Sequence, residues 1–168
     1  MPKRSAGLLL YRVAAAGDLE VLIAHPGGPF WARRDAGAWS VPKGEYEEGD
    51  DALTAARREF REEVGHDAPA GGLLFLGEVR QSSGKLVSVW AVEGDLDAGQ
   101  ATSNTFEMEW PRGSGTVQEF PEVDRVEWVP LALARAKLVK GQVPFLDRLL
   151  DEVPAAGGRL GGCEGETV

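Results

Sequence analysis

The sequence predicts a protein of the α/β (α+β) class, on the basis of three observations. Segments rich in aliphatic and β-branched residues stand on both sides of one long amphipathic helix in the middle of the chain. The first two of these segments are apolar almost throughout, which is typical of strands that are covered on both faces. Two shorter helical patterns follow near the end. At 168 residues the chain is long enough for one domain with a sizeable core.

The chain begins with two predicted strands, Ser5–Tyr11 and Glu20–His25, joined by a turn at residues 14–18. The basic residues ahead of the first apolar run resemble the start of a secretion signal. That run is interrupted at Tyr11-Arg12, however, and no convincing cleavage site follows. We therefore interpret the run as a strand and expect a cytoplasmic protein.

A long, turn-rich connection follows at residues 26–44, PGGPFWARRDAGAWSVPKG, with two tryptophans and three basic residues. Connections of this length inside a compact domain are usually functional. We therefore expect part of this loop to contact a ligand.

The central helix is predicted from about Asp50 to Val64. Its apolar residues recur at steps of three and four: Leu53, Ala56, Phe60 and Val64. Asp50 and Asp51 favour the positive N-terminal end, and Gly65 is a stop signal directly after the last periodic residue. The helix therefore presents one apolar stripe to the core.

Three carboxylates, Glu59, Glu62 and Glu63, fall within one sector of this helix, roughly 100° wide and adjacent to the apolar stripe. Like charges at these spacings repel, so the cluster calls for a compensating cation. Arg58 supplies part of it, and a hard divalent ion such as Mg²⁺, which prefers oxygen ligands, would supply more. In an arbitrary helix the ordinary explanation of such a cluster is a solvated acidic face.

The second half of the chain alternates strand and helix patterns. Predicted strands are Leu73–Gln81 and Lys85–Glu93 around a hairpin loop at Ser82–Gly84, and Val123–Val129 with Val126 and Trp128 on one face. Ser103–Trp110 is predicted as a strand or an extended arm, with a polar break at Asp95–Gln100 before it and a flexible loop at residues 111–118 after it. Two helices follow, Leu131–Leu138 and Pro144–Val153.

Composition limits the class of protein. A net charge of −9 argues against a nucleic-acid polymer as partner, although a small phosphate ligand is still allowed because a bound cation inverts the local field. No apolar run approaches the ~18 residues of a membrane span. The single cysteine, Cys163, cannot form an internal disulfide. Residues 154–168 are predicted as a flexible tail after a domain at residues 1–153.

The segment from Gly44 to Gly65 resembles the signature of the Nudix hydrolases. The residues that match it in register are Gly44, Arg58, Glu59, Phe60, Glu62, Glu63 and Gly65. Two positions depart from the pattern: Asp50 stands where glutamate is usual, and His66 where an apolar residue is usual. About seven specified positions at fixed spacing make the resemblance far more specific than a lone glycine motif.

The resemblance implies a Nudix fold over about residues 5–152, a mixed β-sheet sandwiched between helices. It also implies Mg²⁺ or Mn²⁺ bound by Glu59 and Glu63, then by Glu62, with the backbone carbonyl of Gly44 as a further ligand. Arg58 is expected to hold a glutamate in place through a charge-assisted hydrogen bond.

The general base in this family often lies outside the signature, and Glu122, just ahead of a late strand, is our leading candidate. Glu119, Glu107 and Glu109 are alternatives, because spacing alone cannot show which carboxylate lies near the attacking water. The ordinary explanation of Glu122 is a polar residue at the end of a strand.

Substrate contacts are expected from the loop ahead of the signature. Lys43 stands as in Nudix enzymes that cut dinucleoside polyphosphates or diphosphoinositol polyphosphates, where it would contact a phosphate. Arg33 and Arg34 would extend that site, and Trp31 with Phe30 would stack a nucleobase. Solvated basic residues and aromatic packing are the ordinary alternatives. Three further tryptophans are expected in the core: Trp39, Trp90 and Trp128.

The sequence thus predicts a Nudix pyrophosphohydrolase that cleaves a phosphoanhydride in a nucleoside diphosphate linked to another group, with dinucleoside polyphosphates favoured. A nucleoside triphosphate pyrophosphatase or an ADP-ribose hydrolase is the enzymatic alternative. A Nudix-fold sensor that binds a nucleotide without turnover is an alternative of another class, and such sensors typically lose the carboxylates that this chain retains. The predicted partner is a small nucleotide, and the oligomeric state stays open.

Overall fold

The computed structural model describes residues 2–15 and 17–153, within which strands and helices alternate as expected for a mixed α+β protein. The strands are Arg4–Val13 (β1), Leu19–Pro26 (β2), Lys43–Tyr46 (β3), Leu73–Arg80 (β4), Leu86–Glu93 (β5), Thr105–Glu109 (β6), Val117–Pro121 (β7) and Val123–Pro130 (β8). The helices are Ala52–Val64 (α1), Leu131–Lys137 (α2) and Pro144–Glu152 (α3), with short 3-10 turns at Ala98–Gln100 and Lys140–Gln142.

Six of the strands form one mixed sheet in the order β4-β5-β1-β2-β8, with β3 also paired to β1. The central pair, β1 and β5, is parallel, and the other pairs are antiparallel. The remaining two strands, β6 and β7, form a separate two-stranded ribbon. The prediction of a mixed sheet is therefore confirmed.

The sheet has a hydrophobic core on each face, because its central strands are apolar at successive positions. On one face, α1 contributes Ala55, Ala56, Phe60 and Val64. On the other, α2 and α3 contribute Ala134, Phe145, Leu146 and Leu149. The helices therefore sandwich the sheet, as predicted. Trp39 is fully buried, whereas Trp90 and Trp128 are partly buried and pack against the core.

Helix α1 begins at Ala52, slightly after the predicted Asp50, because Asp51 adopts an extended backbone and caps the helix. Its carboxylate accepts hydrogen bonds from the main-chain N–H and the hydroxyl of Thr54, at 2.9 and 2.8 Å. The Asp50 carboxylate accepts instead from the N–H of Glu47, at 3.1 Å. Gly65 ends the helix in the left-handed conformation with φ 84°, as predicted.

Two strands of the structure were not predicted from the sequence. Lys43–Tyr46, assigned in part to the long loop, forms β3 because it pairs with the first residues of β1. Val117–Pro121, which overlaps the predicted flexible loop at 111–118, forms β7 because it pairs with β6. Neither segment has an apolar alternation, so neither carried a strand signal. The predicted tail at 154–168, with Cys163, lies outside the described residues. Of the helices described, none is long and apolar enough to cross a membrane.

Candidate functional site

The signature helix and β3 meet at a glycine that leaves room for a carboxylate. A Cβ on Gly44 would lie 2.0 Å from both Cδ and Oε1 of Glu59. Real Cβ atoms do not approach other atoms so closely, so the Glu59 carboxylate fits there only because residue 44 has no side chain. The glycine therefore brings the main chain of β3 against the acidic face of α1.

Glu63 lies beside the same strand, where Oε1 accepts a 3.3 Å hydrogen bond from the N–H of Lys43. Burial raises the pKa of Glu63 to about 8; the ammonium of Lys43 opposes the rise, and the charges of Glu59 and Glu122 add to it. Burial and the nearby Lys85 lower the pKa of Lys43. The carboxylate of Glu63 is thus held in a site that disfavours its ionised form.

The ionised form of Glu59 is disfavoured in the same way. Burial is the main cause of its raised pKa. The charges of Glu62 and Glu122 raise the pKa further, and the charge of Arg58 opposes the rise. An Arg58 Nη2 lies 3.4 Å from Glu59 Oε2, and its Nε lies 4.0 Å from Glu62 Oε2. Glu62 is the more accessible of the two acids, with 37% of its side chain exposed against 16% for Glu59. Arg58 therefore compensates only part of the acidic cluster.

Glu122 is held next to this cluster by its main chain. Its N–H donates to the carbonyl of Asn104 at 2.8 Å, and its carbonyl accepts from the N–H of Gly27 at 2.9 Å. Its charge contributes to the raised pKa values of both Glu59 and Glu63, which places it within electrostatic reach of the predicted metal ligands. Glu122 is exposed, so its carboxylate is open to a ligand.

The alternative carboxylates of the β6–β7 ribbon have other contacts. Glu119 accepts from the hydroxyl of Thr105 at 2.7 Å. Glu109 accepts from the N–H groups of Gly113 and Gly115 at 3.3 and 2.7 Å. Glu107 is exposed on the same outer face of the ribbon. Glu122 therefore remains our predicted general base.

The acidic cluster suits a hard divalent cation by its chemistry. Within residues 2–15 and 17–153, no three His, Cys, Asp or Glu side chains converge into a ready-made metal cluster. Glu59 and Glu63 nevertheless form a partly buried pair of oxygen donors with raised pKa values, and Gly44 leaves its main chain open beside them. Oxygen donors with incompletely compensated negative charge are what Mg²⁺ selects, so the residues present fit the ion.

The loop between β2 and β3 presents three of the predicted substrate residues at the surface. Trp31, Arg33 and Arg34 are all exposed, and the guanidinium of Arg34 lies 5.7 Å from the centre of the Trp31 ring. Lys43, at the end of the loop, is partly buried and lies within electrostatic reach of Glu63. Their contacts to a substrate remain predictions.

Two residues that hold this region together, Asn104 and Gly27, were not predicted from the sequence. The main chain of Asn104 donates to the carbonyl of Glu62 at 2.9 Å and accepts from Glu122, so it links the signature helix to the predicted base. A Cβ on Gly27 would lie 2.0 Å from the carbonyl oxygen of Pro121, so this glycine permits the contact with Glu122. The adjacent glycines Gly27 and Gly28 are a sequence signal from which this close approach of two main chains could have been inferred.

The chain matches one family model and is similar to several solved structures. A NUDIX domain model matches residues 1–149. A mutT/nudix family protein from Listeria innocua is 16% identical, with a TM-score of 0.62 over 92% of this chain and 96% of that chain. The NUDIX domain of Shewanella oneidensis NrtR, solved with ADP ribose, is 16% identical, with a TM-score of 0.61 over 91% and 89%.

An Ap4A hydrolase from C. elegans, solved as a binary complex, is 20% identical, with a TM-score of 0.58 over 89% of this chain and 98% of that chain. At these identities the likeness is one of fold. No sequence among the curated proteins matches the chain.

Proposed function

The chain belongs to the Nudix family of hydrolases, and from this membership we propose that it is a magnesium-dependent pyrophosphohydrolase acting on dinucleoside polyphosphates. The bond cleaved is a phosphoanhydride in a nucleoside diphosphate that is linked to a second group. Manganese is the alternative ion, because it accepts the same oxygen donors.

One observation carries this proposal. Glu59 and Glu63 both have raised pKa values beside the bare main chain of Gly44, and the charge of Glu122 contributes to both. A helix that served only as a solvated acidic face would keep its carboxylates apart in water, where burial would not raise their pKa values. The clustering of these acids is therefore better explained by a cation and a phosphate ligand.

The chain's own residues account for the steps around that ion. Glu59, Glu63 and the Gly44 carbonyl would hold it, with Glu62 as a further ligand and Arg58 orienting Glu59 and Glu62. Mg²⁺ held there would neutralise charge on the phosphates and make the attacking water easier to deprotonate.

Glu122 accepts the proton of the attacking water, whose oxygen bonds to phosphorus as the P–O bond of the anhydride breaks. Lys43, Arg33 and Arg34 bind the remaining phosphates. Trp31 is our proposed aromatic contact in the same loop.

Dinucleoside polyphosphates are favoured because Lys43 directly precedes the signature glycine and the adjoining loop adds two exposed arginines. The C. elegans Ap4A hydrolase shares the fold. ADP-ribose is the second candidate substrate, because the NUDIX domain of S. oneidensis NrtR, also of this fold, was solved with that ligand. Nucleoside triphosphates complete the set of substrates to compare.

A substrate panel tests the proposal. The protein is incubated with diadenosine polyphosphates, nucleoside triphosphates and ADP-ribose, first with Mg²⁺ and then with a chelator, and the products are separated by ion-exchange chromatography. We expect nucleotide release from a dinucleoside polyphosphate with Mg²⁺, none with the chelator, and none from Glu63→Gln. Glu152→Gln, at an exposed position at the end of α3, is the control variant and should retain full activity.

Two outcomes would redirect the proposal. Hydrolysis of ADP-ribose or a nucleoside triphosphate alone would keep the chemistry and change the substrate. Saturable binding of one nucleotide without products, with either metal, would instead indicate a Nudix-fold sensor.

A further inference from the structure

We propose that the β6–β7 ribbon and the loop opposite it form a nucleobase-binding site, with Phe30 and Trp110 as the rings that receive the base. The ribbon and its connections, residues 104–121, are called the arm below. This inference rests on the proposed nucleotide hydrolysis, and it names the part of the chain that would recognise the base.

The arm is rooted directly in the candidate catalytic site. At its first residue, the N–H of Asn104 donates to the carbonyl of Glu62 at 2.9 Å. At its other end, Pro121 is followed by Glu122, whose N–H donates back to Asn104 at 2.8 Å. Just outside the arm, the Ser103 hydroxyl accepts from the N–H of Val123 at 3.0 Å. A ligand whose phosphates are held through a cation at the signature carboxylates would therefore begin at the base of this arm.

The tip of the arm is braced by its own polar groups. The Glu109 carboxylate accepts from two N–H groups in the turn, those of Gly113 and Gly115, at 3.3 and 2.7 Å. The side-chain amide of Gln118 donates to the carbonyl of Trp110 at 2.6 Å, and the N–H of Trp110 donates to Thr116 at 2.9 Å. The indole of Trp110 is thus carried on a hydrogen-bonded turn that holds it in place.

One face of the arm is apolar and the other is acidic. Along β6 and into the turn, Phe106, Met108 and Trp110 are partly buried, while the alternate residues Thr105, Glu107 and Glu109 are exposed. Phe106 reaches the loop at Gly28, where a Cβ would lie 3.0 Å from its ring. The apolar face therefore turns toward the loop that carries Phe30.

The two rings at the outer end of this face are only partly covered. Phe30 and Trp110 meet edge to face, with centroids 6.0 Å apart and planes at 65°. Half of Phe30 remains exposed, at 51%, and the Arg112 guanidinium lies 5.6 Å from its centre. Exposed aromatic surface beside a guanidinium is the combination on which nucleobases stack regardless of sequence. The chemistry favours a planar aromatic ligand with polar edges, which the base of a nucleotide supplies.

A comparison of ligands with and without a base tests the inference apart from catalysis. The full-length protein, with chelator present to prevent turnover, is titrated with the four ribonucleoside monophosphates and with ribose 5-phosphate by isothermal calorimetry. We expect at least one nucleotide to bind roughly tenfold more tightly than ribose 5-phosphate. Phe30→Ala and Trp110→Leu should each lose most of that difference while leaving ribose 5-phosphate binding unchanged.

Phe75→Ala is the matched control, because Phe75 is similarly exposed, at 56%, and packs against another tryptophan, Trp90, with centroids 4.9 Å apart. It lies on β4, at the far edge of the sheet, and its loss should not change binding. Phe30→Ala removes a half-exposed ring, so the fold should persist; Trp110→Phe retains a ring and should retain part of the base preference.

The inference is overturned if wild-type protein shows no preference for a base, if Phe30→Ala keeps the preference, or if Phe75→Ala loses as much. Base-dependent binding that Phe30→Ala and Trp110→Leu abolish supports it even where the substrate panel gives no products, in which case the proposed hydrolysis alone fails.

Discussion

Nδ1 of His25 lies 2.9 Å from Oδ1 of Asp124, inside a part of the fold where the imidazole is completely buried. The other ring nitrogen lies 2.6 Å from the carbonyl of Arg34. Pairing of β2 with β8 is irregular at this point, since His25 faces Arg125 while the next residue faces Val123, so Asp124 bulges from the strand. The ring therefore ties the bulge next to Glu122 to the loop that carries the basic residues.

Replacing His25 by phenylalanine should lower the free energy of unfolding by about 2 kcal/mol, because the buried polar contacts of its ring nitrogens with Asp124 and Arg34 are lost. Urea denaturation measures the loss. His66→Phe is the control: the imidazole of His66 is exposed, with one 3.0 Å contact to the carbonyl of Gln100, and its replacement should cost no more than about 0.5 kcal/mol. Equal losses in the two variants would contradict a special role for the buried ring.

Gly44→Ala should reduce kcat/KM by about 100-fold while leaving the melting temperature nearly unchanged. The added Cβ meets the end of the flexible Glu59 side chain, which can move without disturbing the fold but then leaves its position at the site. Gly72→Ala is the control, since nothing lies within 4 Å of the added atom. Unchanged activity in Gly44→Ala would show that the position of Glu59 is not critical.

The raised pKa of Glu63 predicts how stability depends on pH in the absence of metal. The pKa is about 8 in the folded protein against 4.5 for the ordinary carboxyl, so between these values the folded state holds a proton that the unfolded state has lost. The free energy of unfolding should therefore fall as the pH rises through this window, with a slope of at most about 1.4 kcal/mol per pH unit.

Urea denaturation in chelator over this pH range measures the slope. Glu63→Gln cannot titrate and should give a flatter profile, while Glu152→Gln should keep the wild-type slope. Parallel profiles for wild type and Glu63→Gln would assign the dependence to other groups.

Glu122→Gln should lower kcat by roughly 100- to 10,000-fold with little change in KM, because the amide keeps the shape but cannot accept the proton. The main-chain contacts that hold this residue to Gly27 and Asn104 are unaffected by the change. Glu119→Gln, whose parent carboxylate accepts from Thr105, is the matched control and should stay within a few-fold of wild type. If Glu119→Gln is the damaged variant instead, the general base lies on the arm.

Local signals accounted for the part of the site on α1. Its apolar spacing, the aspartates at its start and Gly65 at its end act within a few residues, so the helix and its acidic face were predictable from the sequence. Family resemblance supplied the expectation that the sheet is mixed.

Longer-range contacts account for what the sequence did not reveal. The residues of β3 form a strand because β2 pairs only with the last residues of β1 and leaves Arg4–Gly7 open to a second partner, which composition does not encode. Asn104 positions Glu122 and contacts Glu62 through main-chain groups, and any residue with an N–H and a carbonyl offers those. The burial of Glu63 likewise depends on how α1 packs against β3, so its raised pKa could not be predicted from the sequence pattern of the helix.

The parallel pairing of β1 with β5 imposes an order on assembly during synthesis. Arg4 faces Leu86 and Tyr11 faces Glu93, so β1 cannot pair with β5 until residues some eighty positions later have been synthesised. The next strand, β2, pairs with β8, which ends at Pro130 and is therefore synthesised later still. A nascent chain halted just after Gly65 would contain every carboxylate of the signature, together with β1 and β3 beneath α1, but it would still lack β5 and β8, which also contact this helix. Helix α1 is thus translated well before the sheet beneath it is complete.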